Sequence, residues 1–232
     1  MTHAFVPAAP TAPTALEPMN PTAVLLDLDG TISDSGPVIT ASIAETLAHF
    51  GYPAQTQEEL LRFVGPPIRD GFRAFVGVPE DRLSAVVEDY RARYNERMLQ
   101  APVFPGMAEL VRDLHARGVP IALATSKRQS LAVPILQDAG LAQYFTVICG
   151  ASDDETRAAK ADIVEDALTG LRERDVDLSR VVMVGDRHHD VDGAGVHGLP
   201  TILVRWGYAR PGEEDGAHAF VHEAAELARL LS

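Results

Sequence analysis

Five short apolar runs recur along this chain, and helical patterns fill the gaps between them. The runs are Ala23–Leu26, Val119–Ala124, Phe145–Cys149, Arg180–Val184 and Thr201–Val204. Apolar periodicities of helical type lie between or after them at Met107–Arg117, Ser130–Ala139, Ala158–Leu171 and Val191–His197. Strands that alternate with helices predict a parallel sheet with helices on both faces. The runs are unbroken rather than alternating, as expected for strands buried on both sides.

One stretch breaks the alternation. Residues 35–103 carry only helical patterns, at Val38–Phe50, Gln57–Phe63, Ile68–Phe75 and Asp81–Leu99, separated by the breakers Pro66-Pro67 and Gly77–Pro79. A short crossover would suffice between the first two strands, so this block reads as an inserted α-helical cap. Its exits are Ser33–Gly36 and Ala101–Gly106, and the core comprises 21–34 and 104–232. A chain of 232 residues accommodates one core with a small insertion. Residues 1–20, rich in Ala, Pro and Thr, read as a disordered leader or as an upstream start before Met19.

The first strand ends in Asp27-Leu28-Asp29-Gly30-Thr31. In extended backbone, residues i and i+2 face the same way, so both carboxylates converge. Converging carboxylates repel unless a cation lies between them or one holds a proton. Ligand sites in parallel sheets form beyond the carboxyl ends of the strands. The second strand leads there into Thr125-Ser126-Lys127, the fourth into Gly185-Asp186 with Asp190 four residues on, and Lys160 opens the helix after the third. Acids, hydroxyls and a lysine suit phosphoryl transfer: hard oxygen ligands for Mg2+, a carboxylate nucleophile, and a cation to neutralise the moving group.

Asp27-Leu28-Asp29-Gly30-Thr31, Thr125, Lys160 and Gly185-Asp186-Arg187-His188-His189-Asp190 resemble the four motifs of the haloacid dehalogenase-like hydrolases, in family order and spacing. The resemblance covers nearly all the chain from about Thr22. It implies a Rossmann-like α/β core with a helical cap, and a magnesium-dependent phosphatase that works through an aspartyl-phosphate. On it, Asp27 is the nucleophile and a metal ligand, and Asp29 binds metal through its carbonyl and serves as general acid and then base. Thr125 and Ser126 hold the phosphoryl group, Lys160 bridges Asp27 and the phosphate, and Asp186 and Asp190 complete the metal site. A carboxylate at position 29 favours phosphate esters over haloacids. The overall look is nearest to phosphoglycolate phosphatases and the 5′-nucleotidase branch. A β-phosphoglucomutase-like mutase and a non-catalytic binding module are the alternatives.

Other features receive plainer readings. Arg69 and Phe72 follow Gly65-Pro66-Pro67; Arg69 is a candidate for substrate contact or a surface ion pair, and Phe72 for the cap's inner face or its core. Lys127 rivals Lys160 but is placed in a helix start. Adjacent His188 and His189 do not suit one zinc ion. Asp153-Asp154-Glu155 reads as a solvated loop, and Trp206-Gly207-Tyr208 borders the site or packs. A net charge of −13 without a basic run argues against nucleic acid as a partner. No apolar run is long enough to cross a membrane. The one cysteine, Cys149, reads as a buried structural thiol, and a chain without disulfides suits the cytoplasm. The expected partner is a small phosphorylated metabolite; the oligomeric state is open.

Overall fold

The computed structural model describes residues 17–154 and 156–232. The five apolar runs fold as β1 (Ala23–Leu26), β2 (Ile121–Arg128), β3 (Val147–Ala151), β4 (Val181–Gly185) and β5 (Thr201–Val204), and β6 (Ala219–Val221) follows. They form one parallel sheet in the order β3-β2-β1-β4-β5-β6, which is the Rossmann-like arrangement. The helices are α1 (Gly36–His49), α2 (Gln57–Leu61), α3 (Ile68–Gly71, running on into a π turn at Phe72–Val76), α4 (Glu80–Arg97), α5 (Met107–Ala116), α6 (Gln129–Asp138), α7 (Lys160–Arg172), α8 (His188–Gly195) and α9 (Ala224–Leu230).

Alternate residues of each strand supply the two faces. Val24, Leu26, Ile121, Leu123, Val182 and Val184 pack with α5, α6 and α9 through Leu110, Leu114, Ile135 and Leu227. Ala23, Leu25, Ala122, Ala124 and Met183 pack with α7 through Ile163, Val164 and Leu171. Both faces are therefore covered, which explains the unbroken apolar strands. The register sets Leu26 beside Leu123 and Val184, so the apolar parts of the three central strands run out at about the same level. Whatever follows them shares one edge.

Helices α1 to α4 lie between β1 and β2 and enclose a separate apolar cluster with Phe72, Leu83, Val86 and Tyr90 at its centre. The two connections to this insertion run side by side: Ser33 bridges Val103, the Asp34 amide donates to Pro102 O at 2.9 Å, and the Phe104 amide donates to Ile32 O at 2.9 Å.

Several expectations shift. The β2 strand runs four residues past its apolar part and takes in Thr125–Arg128, so Lys127 is in a strand and not in a helix start. The pairing with β3 breaks between Thr125 and Arg128, a bulge that re-aims the intervening side chains. The β3 strand lies two residues later than its apolar run, and β6 and α9 were not foreseen. Residues 1–16 of the expected leader lie outside the described residues. Met19 and Asn20, assigned to that leader, are held by the C-terminus: their amides donate to Leu230 O at 2.8 Å and Ser232 O at 3.2 Å.

Leu123 is fully buried at the centre of the sheet. Leu123→Ala is expected to cost about 2–5 kcal/mol in urea denaturation through the cavity it leaves. Val196→Ala, at a residue 72% exposed, is expected to stay within about 0.5 kcal/mol of wild type.

Candidate active site

The site assembles at the carboxyl edge, where the apolar parts of β1, β2 and β4 give way to polar residues. Asp27 follows β1 directly, and its amide donates to Val184 O at 2.9 Å, which holds it to the sheet. The chain then turns sharply at Gly30, whose φ is +83°. A Cβ at Gly30 would lie 2.1 Å from Asp186 Oδ2, so only glycine lets this turn pass the Asp186 carboxylate. Asp186 follows β4. Asp190, in the first turn of α8, accepts the amides of Asp186 at 3.1 Å and Arg187 at 3.0 Å, and so caps that helix. Capping explains why this carboxylate turns inward.

Lys160 is the first residue of α7 and is buried. Its ammonium donates to Asp27 Oδ1 at 2.9 Å and Ala124 O at 3.0 Å, and pairs with Asp190 Oδ1 at 2.7 Å. Lys127 makes the second ion pair, with Asp29 Oδ2 at 2.7 Å, and its ammonium sits 4.8 Å from the centre of the Tyr94 ring of α4. Thr125 and Ser126 line the same small cavity as Asp27, Asp29, Lys127, Lys160, Arg187, His189 and Asp190. Gly65, from the helical insertion, closes it from above.

Four buried carboxylates (Asp27, Asp29, Asp186 and Asp190) thus face two ammonium groups. Arg187 does not redress the balance, because its guanidinium is paired with Glu213 at 2.6 and 3.0 Å. Burial first, and the excess of carboxylates after it, shift the pKa values of these groups. Burial pushes the Asp27 carboxyl up to about 6 against the pull of Lys160, with Asp190 adding to the rise. Burial, then Asp190 and Asp27, raise Asp186 well above the carboxylate range. Although burial opposes it, Asp190 and Asp27 hold Lys160 above its ordinary value, and Asp29 does the same for Lys127.

A divalent cation would answer this excess. Oxygens of Asp27, Asp186 and Asp190 lie within 4.8 Å of one another. Asp186 Oδ1 is buried and has no hydrogen-bond partner among the described residues. The set is oxygen only, which suits a hard cation of the Mg2+ type. The residues present therefore fit such an ion. Asp29 is outside this side-chain group, with Oδ2 on Lys127 and Oδ1 buried without a hydrogen-bond partner among the described residues.

Other candidates fall elsewhere. The Arg69 guanidinium is taken by Glu80 at 3.3 Å and Ser84 at 2.9 Å on the outer side of the insertion, so it is a surface ion pair and not a cavity residue. Phe72 is fully buried in the insertion's own core. The rings of His188 and His189 are 3.8 Å apart, and neither joins the carboxylate group. His189 borders the cavity, and its pKa is lowered by burial and then by His188. Asp153 and Asp154 accept hydrogen bonds from nearby Ser and Thr side chains, and Glu155 lies outside the described residues. Cys149 is half-buried in β3, where burial pushes its thiol up to about 11.

Sequence reasoning passed over the ion pair of Lys127 and the anchorage of Arg187, whereas Tyr208, expected to border the site or to pack, does border it, its amide donating to Asp186 Oδ2 at 2.7 Å. All three stand in quoted motifs, but their directions depend on the β2 bulge and on the loop after β5. Trp206, given the same two readings as Tyr208, donates its indole N–H to Thr31 O at 3.1 Å beside the Asp27–Gly30 turn.

Comparison with known proteins agrees with this geometry. The family model described as haloacid dehalogenase-like hydrolase matches residues 24–204, and the chain belongs to that family. It is 43% identical over 192 residues to the tyrosine-protein kinase PtkA of Mycobacterium tuberculosis, across 82% of this chain but only 64% of that protein's length. It is 34% identical to a 5′-nucleotidase of Pseudomonas aeruginosa, across 89% of this chain and 92% of the relative. A predicted phosphatase from Clostridium acetobutylicum superposes with a TM-score of 0.82 at 31% identity, across 90% of this chain and 97% of the other.

Protons and metal compete for the same oxygens. The folded-state pKa of Asp27 lies above its unfolded value, so its contribution to metal-free stability is full at low pH and is lost as pH rises through about 6. The melting temperature should therefore rise with millimolar Mg2+ at pH 7.5 and rise much less at pH 5. Asp186→Asn should abolish the rise at both. Differential scanning fluorimetry with and without EDTA checks this.

Proposed function

We propose that this chain is a magnesium-dependent phosphatase that hydrolyses small phosphomonoesters through a phosphoryl-Asp27 intermediate. The observation that carries the reading is the bridging of Asp27 and Asp190 by Lys160, beside the unpartnered Asp186 oxygen, with Asp29 held two residues from Asp27. This is an oriented carboxylate nucleophile with a second carboxylate in reach for proton transfer.

The cycle has two halves. In the first, an Asp27 oxygen forms a bond to phosphorus and the bond to the leaving oxygen breaks. Asp29 delivers a proton to that oxygen from Oδ1, the atom Lys127 leaves free. In the second, water attacks the phosphorus of the acyl phosphate, Asp29 takes the water proton, and Asp27 leaves with the electron pair. Thr125, Ser126 and Lys160 hold the non-bridging oxygens throughout. A magnesium ion held by Asp27, Asp186 and Asp190 supplies Lewis-acid neutralisation of the phosphoryl charge when bound. The helical insertion acts as a cap that excludes water from the first half and admits it for the second.

The phosphatase and 5′-nucleotidase relatives support hydrolysis, and nucleoside monophosphates, phosphoglycolate and sugar phosphates form the substrate panel. A second reading is transfer to a hydroxyl acceptor in place of water. The 43% identity to proteins named tyrosine kinases favours it, although this chain spans only part of their length. The same intermediate serves both, and the acceptor decides.

Asp27→Asn should lower phosphate release by about a thousandfold or more with the circular dichroism spectrum unchanged. Retained turnover would contradict the mechanism. In the same assay with ATP and tyrosine peptides, phosphate release without peptide labelling supports hydrolysis, and labelling supports transfer.

A further inference from the structure

We propose that Tyr208 is a positioning residue that couples the hinge of the helical cap to the acidic cluster, so that metal binding and cap position report on each other. The inference deepens the reading of Asp186 as a metal ligand.

Tyr208 makes contacts in two directions. Its amide donates to Asp186 Oδ2 at 2.7 Å. Its phenol donates to Asp34 Oδ1 at 2.5 Å and accepts the Gly36 amide at 2.6 Å. Asp34 and Gly36 stand where the chain leaves the core for the cap, and the Asp34 amide is bonded to Pro102 on the returning connection. One residue therefore touches a carboxylate of the cluster and the outgoing connection of the hinge, and its ring lies 6.5 Å from that of Phe104 on the returning one. The fit leaves no slack, because a Cβ on Gly36 would lie 2.7 Å from the Tyr208 ring. Burial, and then Asp34, raise the phenol's pKa, so the hydroxyl keeps the proton it donates.

The segment that carries Tyr208 is itself anchored. Trp206 holds it to Thr31 O, next to the turn that follows Asp29. Five residues on, Glu213 grips Arg187, whose buried guanidinium also donates to the carbonyl of Val64 in the cap. Val64 precedes Gly65, the cap residue that closes the phosphate cavity. The loop after β5 thus reaches the cap at its hinge and at its closing edge, and touches the cluster between them. A metal ion on Asp186 Oδ1 leaves Oδ2 with Tyr208. Any shift of that carboxylate passes to the Tyr208 backbone and, through a ring pinned at its far end, to Asp34. By linkage, cap position must then influence metal affinity in the same measure.

The test is hydrogen exchange at the Asp34 and Phe104 amides, which close the hinge, in the full chain with and without Mg2+. In wild type, Mg2+ should slow both by about tenfold, the size of one net hydrogen bond. In Tyr208→Phe the Asp186 contact is kept, since it is made by backbone, and the Mg2+ effect on the hinge should vanish while a Mg2+-induced rise in melting temperature persists. Asp34→Asn, which still offers an oxygen to the phenol, should behave as wild type, and Asp34→Ala as Tyr208→Phe. Equal Mg2+ slowing in wild type and Tyr208→Phe would overturn the proposal, as would no slowing in wild type. Phosphate release is measured on the same samples. Hinge protection in a wild-type protein that releases no phosphate supports the coupling and overturns the phosphatase reading.

Discussion

The structure depends on an imbalance of buried charge. Asp27, Asp29, Asp186 and Asp190 are brought together at the edge of a parallel sheet, and among the described residues Lys127 and Lys160 are the cations ion-paired with them. Desolvated carboxylates in contact either bind protons or bind a cation, and burial raises the pKa of both Asp27 and Asp186. On the proposed function, a divalent ion at Asp27, Asp186 and Asp190 would remove the need for protons and leave Asp27 ionised for nucleophilic attack. The same imbalance would therefore underlie the metal dependence, the pH response and the reactivity that the proposed function requires.

The fold bears the cost of holding these groups in place. The strand register, the Gly30 turn and the capping of α8 by Asp190 each bring a carboxylate inward against its mutual repulsion. Each works because apolar packing on both faces of the sheet makes the strand ends rigid. The two lysines divide the work. Lys160 spans Asp27 and Asp190, whereas Lys127 orients Asp29 and sits against the Tyr94 ring of α4.

Much of this was legible in the sequence, and the reasons are physical. Buried parallel strands are short, unbroken and apolar, so β1, β4 and β5 stand out to within a residue. The residues after them share an edge by topology alone, which is why Asp27, Thr125, Lys160 and Asp186 could be grouped without coordinates. What depends on irregular backbone was not legible. The bulge in β2 carries Lys127 to Asp29 although its sequence resembles a helix start. The three-residue β6 is too short to show periodicity. The Arg187–Glu213 pair joins residues 26 apart through a loop that has no pattern. Arg69 shows the opposite failure: its place after Gly65-Pro66-Pro67 suggested the cavity, but Glu80 and Ser84 lie nearer on the outer side.

The central claim is that Asp27 takes the phosphoryl group and Asp29 moves the proton that releases it. Mass spectrometry of Asp29→Asn, quenched in acid after mixing with p-nitrophenyl phosphate and Mg2+, tests it most directly. With an activated leaving group the first transfer needs little acid help, while hydrolysis lacks its base. The account predicts one phosphoryl group on the peptide that contains Asp27, together with a burst of p-nitrophenol and slow turnover after it. Phosphoryl label on a different residue, or wild-type turnover with no labelled peptide, would contradict it.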